Sequence, residues 1–236
     1  IAFRNTSFGN NSLSSVIVGG NDNCAVGYGA LEENTSGSFN NAFGSKSLNL
    51  NTTGSYNIGI GLSLNSNTTG SYNIGIGNNA ASLSNIDNII AIGSNSLEDN
   101  VSGANNIAIG TNSLQKNTAS NNTAIGSNSL SKNIIGANNT AVGYNVLAVN
   151  TASSNTGIGS SSLSKNTSGS SNTGIGYISL NENLTGSSNT AIGSNSLTSN
   201  TIGSSNTGVG SLTLNTNLSG SNNTAVGSNS LTTNDG

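Results

Sequence analysis

SSNTAIGSNSLTSNTIGSSNTGVG, residues 187–210, says one phrase twice: Asn, Thr, a small residue, a β-branched residue, Gly. Within Asn189-Thr190-Ala191-Ile192-Gly193 the side chains alternate with the period of a strand, Thr190 and Ile192 on one face, Asn189 and Ala191 on the other or at its edge. Gly recurring every sixteen to eighteen residues, together with Asn-Thr and Gly-Ser pairs, breaks helices and suits short strands joined by turns. Each repeat therefore reads as two short strands, one centred on Thr-Ala-Ile and the other near Ser-Leu and the following Asn-Thr.

Aligning the chain on the Gly that follows an aliphatic or aromatic residue gives fourteen repeats, from Gly9 to Gly227, spaced by 16 to 18 residues. That period is shorter than the helical repeats and matches β-solenoid coils. Four before the Gly, Asn stands in thirteen of fourteen repeats, the exception being Ile89. Two before it stands Ala, Gly or Ser without exception, and one before it Ile, Val or Phe. Leu follows four after the Gly in twelve repeats, Asn65 and Ala81 departing, and Asn seven after it in eleven.

These observations predict an all-β chain, a single repeat domain over 1–236 folded as a parallel β-solenoid, or β-roll, of about 14 coils of 16–18 residues. Stacked coils at about 4.8 Å would set like residue on like and make a rod roughly 65 Å long. Asn122, Asn139, Asn155, Asn172, Asn189, Asn206 and Asn223 are expected to form a structural ladder, each amide donating to one neighbouring coil and accepting from the other. With Thr and Ile turned inward, Ala124, Ala141, Gly157, Gly174, Ala191, Gly208 and Ala225 would form a flat outward stripe of small residues where other chains approach, three around an axis. Residues 78–92 fit least well: the Leu slips to Leu83, Asp87 replaces the turn Gly and Ile89 the ladder Asn, so a bulge or changed cross-section is expected there.

Composition narrows the function. Only 6% of residues are charged, His is absent and there is one Cys. Five basic residues offer nothing for phosphate contacts, so no nucleic acid is expected. No apolar run approaches the roughly 20 residues of a membrane helix, so no membrane insertion is expected of this segment. The start at Ile1 suggests a processed chain or a fragment.

Cys24 is expected in the core. Catalysis needs a placed acid, base, nucleophile or metal; the carboxylates are scattered, and the pairs Glu32-Glu33 and Glu98-Asp99 lack calcium-loop spacing. No catalytic residue, cofactor or metal is expected. The Gly-x-Gly pairs at Gly59, Gly75, Gly157, Gly174 and Gly208 are followed by no helix, so they are no dinucleotide fingerprint. Sequons at Asn34, Asn51, Asn67, Asn100, Asn166, Asn183 and Asn217 follow from an Asn-rich composition. Eight of thirteen charges, Glu32, Glu33, Glu98, Asp99, Lys116, Lys132, Lys165 and Glu182, fall five or six after the Gly, at one solvated corner.

Asn-Thr-Ala-Ile-Gly-Ser-Asn-Ser-Leu at 122–130 and 189–197, with Val226 for Ile at 223–231, resembles the YadA-like head repeats of trimeric autotransporter adhesins. It is also similar to repeats in phage and algal-virus tail-fibre or spike proteins. The resemblance covers nearly the whole chain, which departs from the shorter adhesin coil by its Leu-x-x-Asn-Thr-x-Gly extension. It implies a left-handed parallel β-roll, a homotrimer, and an extracellular structural and adhesive role at a cell or virion surface, with a host-surface protein or glycan as partner. The alternative is a monomeric solenoid binding an ordered surface such as ice or polysaccharide through a Thr row; outward Thr and Ile with inward Ala is the side-chain phase that would favour it.

Overall fold

The structure, a computed structural model, describes residues 4–16 and 19–234. Among them the fold is all-β, a parallel β-solenoid built from fourteen three-residue strands without a helix. The chain divides into two units, 1–120 and 121–236. The first holds β1 Thr6–Phe8, β2 Cys24–Val26, β3 Asn41–Phe43, β4 Ile58–Ile60, β5 Ile74–Ile76, β6 Ile90–Ile92 and β7 Ile107–Ile109. The second holds β8 Thr123–Ile125, β9 Thr140–Val142, β10 Thr156–Ile158, β11 Thr173–Ile175, β12 Thr190–Ile192, β13 Thr207–Val209 and β14 Thr224–Val226.

Within each unit successive strands pair in parallel and in repeat register. Thr156, Gly157 and Ile158 lie against Thr173, Gly174 and Ile175, and Ile58, Gly59 and Ile60 against Ile74, Gly75 and Ile76. Coil length does not disturb this: β3 and β4 are separated by 17 residues and β4 and β5 by 16, yet small residue meets small residue in both pairs.

One strand per coil is formed, not two. The Ser-Leu segment is a turn, because its Leu takes the left-handed conformation: φ is 50° at Leu48, 48° at Leu114 and 50° at Leu197. A left-handed L-residue costs about 1–2 kcal/mol. Full burial of a Leu returns about 1.5–3 kcal/mol, and each of these leucines is 0% exposed. The turn keeps its backbone bonded: Leu48 N–H donates to Ser63 O on the next coil at 3.1 Å, and Asn51 N–H to Leu48 O at 3.1 Å. Leu64 fills the same place although it stands one residue closer to its Gly, so Asn65 marks a one-residue shortening of this turn and not a loss of the core Leu.

The second turn explains the remaining 16-residue spacings. Where six residues separate the two Asn positions, as from Asn34 to Asn40, the turn carries a Gly whose Cβ has no room: at Gly186 it would stand 2.2 Å from Gly203 O. Where five separate them, as from Asn117 to Asn122 and Asn150 to Asn155, Ala119 and Ala152 take that place and supply the same carbonyl. The anchor Gly is needed for another reason. Gly126 has φ 125°, and a Cβ there would lie 2.2 Å from Gly143 O.

Residues 78–92 contain no bulge: β5, β6 and β7 stay in register on either side. Ala81, with φ 51° and no exposure, holds the Leu position, while Leu83 is exposed and does not replace it. Ile86, not Asp87, stands where other coils have Gly, its carbonyl accepting from Asn73 Nδ2 at 2.6 Å. Side chains stand in for the missing parts. Asn85 Oδ1 accepts the N–H groups of Thr68, Thr69 and Gly70 at 2.9, 2.8 and 3.2 Å, a task that Thr68 O performs for Thr52, Thr53 and Gly54. Asp87 Oδ1 accepts Ser71 N–H at 2.8 Å, where Ser71 Oγ serves Ser55.

Candidate interaction surface

Two Asn ladders run through each unit. In the expected one, Asn172 Oδ1 accepts Asn189 N–H at 2.9 Å and Asn189 Oδ1 accepts Asn206 N–H at 2.9 Å, while Asn172, Asn189 and Asn206 donate Nδ2 hydrogens to Gly186, Gly203 and Gly220 O at 2.7–2.8 Å. Asn139 and Asn155 repeat it, with Ala152 O and Gly169 O accepting, and Asn122 donates to Gly136 O. Asn223, half-buried, donates its backbone N–H to Asn206 Oδ1 at 3.0 Å.

The second ladder is formed by the Asn seven after the Gly. Asn183, Asn200 and Asn217 each donate to the Oδ1 of the Asn one coil back at 2.7–2.8 Å and to the turn Gly of their own coil at 2.8 Å. All seven of the sequons named above belong to this buried ladder, so their amides are engaged inside the coil. At the irregular coil both ladders are interrupted, by Ile89 and Ser84. With no amide at 84, Asn67 Oδ1 and Ser84 Oγ are left without a partner.

The stripe of small residues is inside, which corrects the expected side-chain phase. Ala124, Ala141, Gly157, Gly174, Ala191, Gly208 and Ala225 are all buried, and Gly157, Gly174 and Gly208 face the leucine turn of the preceding repeat, at Leu147, Leu163 and Leu197. A Cβ on Gly174 would lie 2.6 Å from Ser162 Oγ and 3.3 Å from Leu163 Cδ1, and one on Gly208 would lie 2.8 Å from Ser196 Oγ. The smallness at this position is therefore demanded by the chain's own Leu and Ser, not by the approach of another chain. The Gly-x-Gly pairs at Gly59, Gly75, Gly157, Gly174 and Gly208 are the same interior row.

Thr and the aliphatic residues face outward instead. In the first unit the outward face of β4 to β7 pairs Ile58, Ile74, Ile90 and Ile107 with Ile60, Ile76, Ile92 and Ile109. In the second, a row of Thr from Thr123 to Thr224 runs beside Ile125, Val142, Ile158, Ile175, Ile192, Val209 and Val226. Exposure of the aliphatic row is substantial, 38% at Ile125, 39% at Ile158 and 39% at Ile192. Cys24 belongs to this outward face, half-buried between Thr6 and Asn41, and not to the core.

None of these strand residues is charged. Glu32, Glu98, Asp99 and Glu182 are half-exposed, and Glu33, Lys116, Lys132 and Lys165 exposed, at the turn after the buried Leu, where Lys165 Nζ meets Glu182 Oε1 at 2.8 Å. One feature of this surface escaped the repeat alignment: Phe39, Tyr56 and Tyr72, five before successive anchors, stack their rings at 4.8 and 5.0 Å, nearly parallel. Their signal was three aromatic residues at one repeat position, each in a left-handed turn conformation that fixes its direction.

Among the described residues no three His, Cys, Asp or Glu side chains gather to hold a metal ion, no pocket opens, and no helix is long and apolar enough to cross a membrane. No family model, curated protein or solved structure matches this chain. What the surface offers is therefore read from its own chemistry: a flat, uncharged, periodic face with apolar rows and no enclosed site.

Proposed function

We propose that the chain is a non-enzymatic structural and adhesive fibre segment, acting outside the cell as a homotrimer on a cell or virion surface. The observation that carries this reading is the outward aliphatic row, half-exposed and free of charge along each unit. A contiguous apolar face on a soluble chain marks a surface that another chain covers. The seam between chains is thus this row, and not the small-residue stripe that the sequence suggests.

Identical chains set side by side with their rungs level bring like rows together, and closed symmetry leaves no copy with a bare face. A three-residue strand is only about 10 Å long. So narrow a ribbon, turned toward a threefold axis, is covered on both flanks by its two neighbours. Repeated weak contacts along such a fibre gain strength by avidity when it meets a host-surface protein or glycan.

Light scattering on a size-exclusion column tests the reading. The expected mass is three times 23.3 kDa, and Ile158→Lys with Ile192→Lys is expected to yield a folded monomer. A wild-type mass of 23.3 kDa would overturn it.

The outward Thr row of the second unit favours a second reading, a solenoid that binds an ordered surface such as ice or a polysaccharide lattice. Rungs at about 4.8 Å present Thr hydroxyls at lattice-like intervals. Thermal hysteresis in a freezing assay, abolished by Thr173→Lys and Thr190→Lys, is its expected signature; an unchanged freezing point would remove the ice form of it.

A further inference from the structure

We infer that the end of the aromatic stack, at Tyr72 and the irregular coil beside it, is a glycan-binding platform that takes one pyranose ring of a neutral saccharide. The inference rests on the adhesive reading and names its partner class. The ladder bond that repeats from Tyr56 N–H to Ser38 O and from Tyr72 N–H to Ser55 O continues from Asn88 N–H to Ser71 O at 3.1 Å. Asn88 therefore stands where a fourth ring would, with φ 59° against 61° at Tyr72. Its short amide leaves the outer part of one Tyr72 face without an aromatic neighbour, and Tyr72 is 58% exposed.

Two side chains that replace backbone in this coil stand close to Asn88 in sequence, Asp87 immediately before it and Asn85 three residues before it, and they bond the segment that leads into Tyr72. Asp87 Oδ1 is held by Ser71 N–H at 2.8 Å, which fixes the carboxylate and leaves Oδ2 without a protein partner. Asn85 Oδ1 is held by three N–H groups, which fixes the amide and leaves Nδ2 without one. Both residues are exposed.

An aromatic face that takes apolar C–H groups, beside a pinned acceptor, a pinned donor and the Tyr72 hydroxyl, matches a pyranose, which has C–H faces and hydroxyls that donate and accept. Neighbouring hydroxyls bridging to a carboxylate make charge-assisted hydrogen bonds. The other end of the stack lacks this set: Phe39 has no hydroxyl, and the preceding rung is Asp22, paired with Arg4 at 2.8 Å. Repetition of the platform across copies of the chain supplies the avidity that a shallow site needs.

Saturation-transfer NMR and calorimetry on the full chain, with cellohexaose, mannohexaose and laminarihexaose at about millimolar concentration, provide the test. At least one is expected to bind. Tyr72→Ala and Asp87→Asn are each expected to weaken it by about tenfold or more, with the circular dichroism unchanged, while Tyr144→Ala, an exposed tyrosine of the second unit, binds as the parent does. No binding of any of the three, or equal binding by Tyr72→Ala, overturns the platform. Solution mass on the same samples separates the two readings: a trimer that binds none of them loses the platform and keeps the fibre, whereas a monomer whose binding depends on Tyr72 keeps the platform and loses the trimer.

Discussion

The side-chain oxygen of Asn172 accepts the backbone N–H of Asn189 at 2.9 Å, and the Nδ2 of Asn172 donates to Gly186 O at 2.8 Å, so one amide pins both ends of the turn from Gly186 to Asn189 in the next coil. Asn172→Ala removes the acceptor and leaves Asn189 N–H unpaired inside the coil. A cost of about 2–3 kcal/mol is expected, read as a lower denaturation midpoint; a variant as stable as the parent would mean that the amide bonds contribute nothing net.

The interrupted coil is open to repair. Asn117 and Asn150 already occupy the second ladder before five-residue turns, each donating to an Ala carbonyl at 2.6 Å. Ser84→Asn should reproduce that arrangement with Ile86 O and provide the donor that Asn67 Oδ1 lacks. The gain expected is about 1 kcal/mol, visible as a rise in thermal midpoint of a few degrees. A fall would show that this coil has no room for the larger side chain.

The inward small row admits Ala and little more. Ala191→Val pushes two methyl groups into the interior that the leucine turns fill, and a loss of about 1–3 kcal/mol is expected. Ile192→Thr, one residue along on the outward face, should leave the folding midpoint of the isolated chain almost unchanged and act on assembly. Equal effects of the two on folding would refute the side-chain phase described above.

Turn length and turn residue are coupled. Gly186→Ala alone places a Cβ against Gly203 O and is expected to destabilise the coil strongly. Gly186→Ala combined with deletion of Leu184 converts the turn to the five-residue kind found at Asn150–Asn155 and is expected to recover most of the loss. Circular dichroism melts of the two variants decide this, and it fails if the double change is the less stable.

The ion pair Lys165–Glu182 lies on the exposed corner, with side chains 56% and 42% exposed. Lys165→Ala should therefore shift stability by less than about 1 kcal/mol. A larger loss would give this corner a structural role that its solvation argues against.

The period, the ladder Asn and the charged corner were legible in the sequence because each rests on a residue type that tolerates few substitutes. Side-chain phase was not. In a three-residue strand, Thr-Ala-Ile alternates equally well with either face inward, and bulk alone favours burying Ile192 over Ala191. What reverses the phase is the left-handed Leu of the preceding repeat, which fills the coil's interior, Leu163 lying against Gly174 and Leu197 against Gly208, and leaves room for a small residue only; no local propensity announces a left-handed Leu. Leu64 was hidden by a one-residue shortening of its turn, and Ile86 by a shortening of the next. The aromatic platform at Tyr72 depends on which rung ends the stack, which follows from alignment through Asn88 and not from the aromatic residues themselves.

Length differences between coils are absorbed entirely in turns, at Leu62–Leu64 or between the two Asn positions, while the strands and both ladders keep one register within each unit. Apart from the irregular coil at 78–92, each coil consequently meets the next through closely similar bonds. A duplicated or excised repeat would find its partners already in place above and below. Length, in such a chain, is a matter of repeat number: recombination between repeats within the gene lengthens or shortens the protein in whole steps without requiring any new interface to evolve.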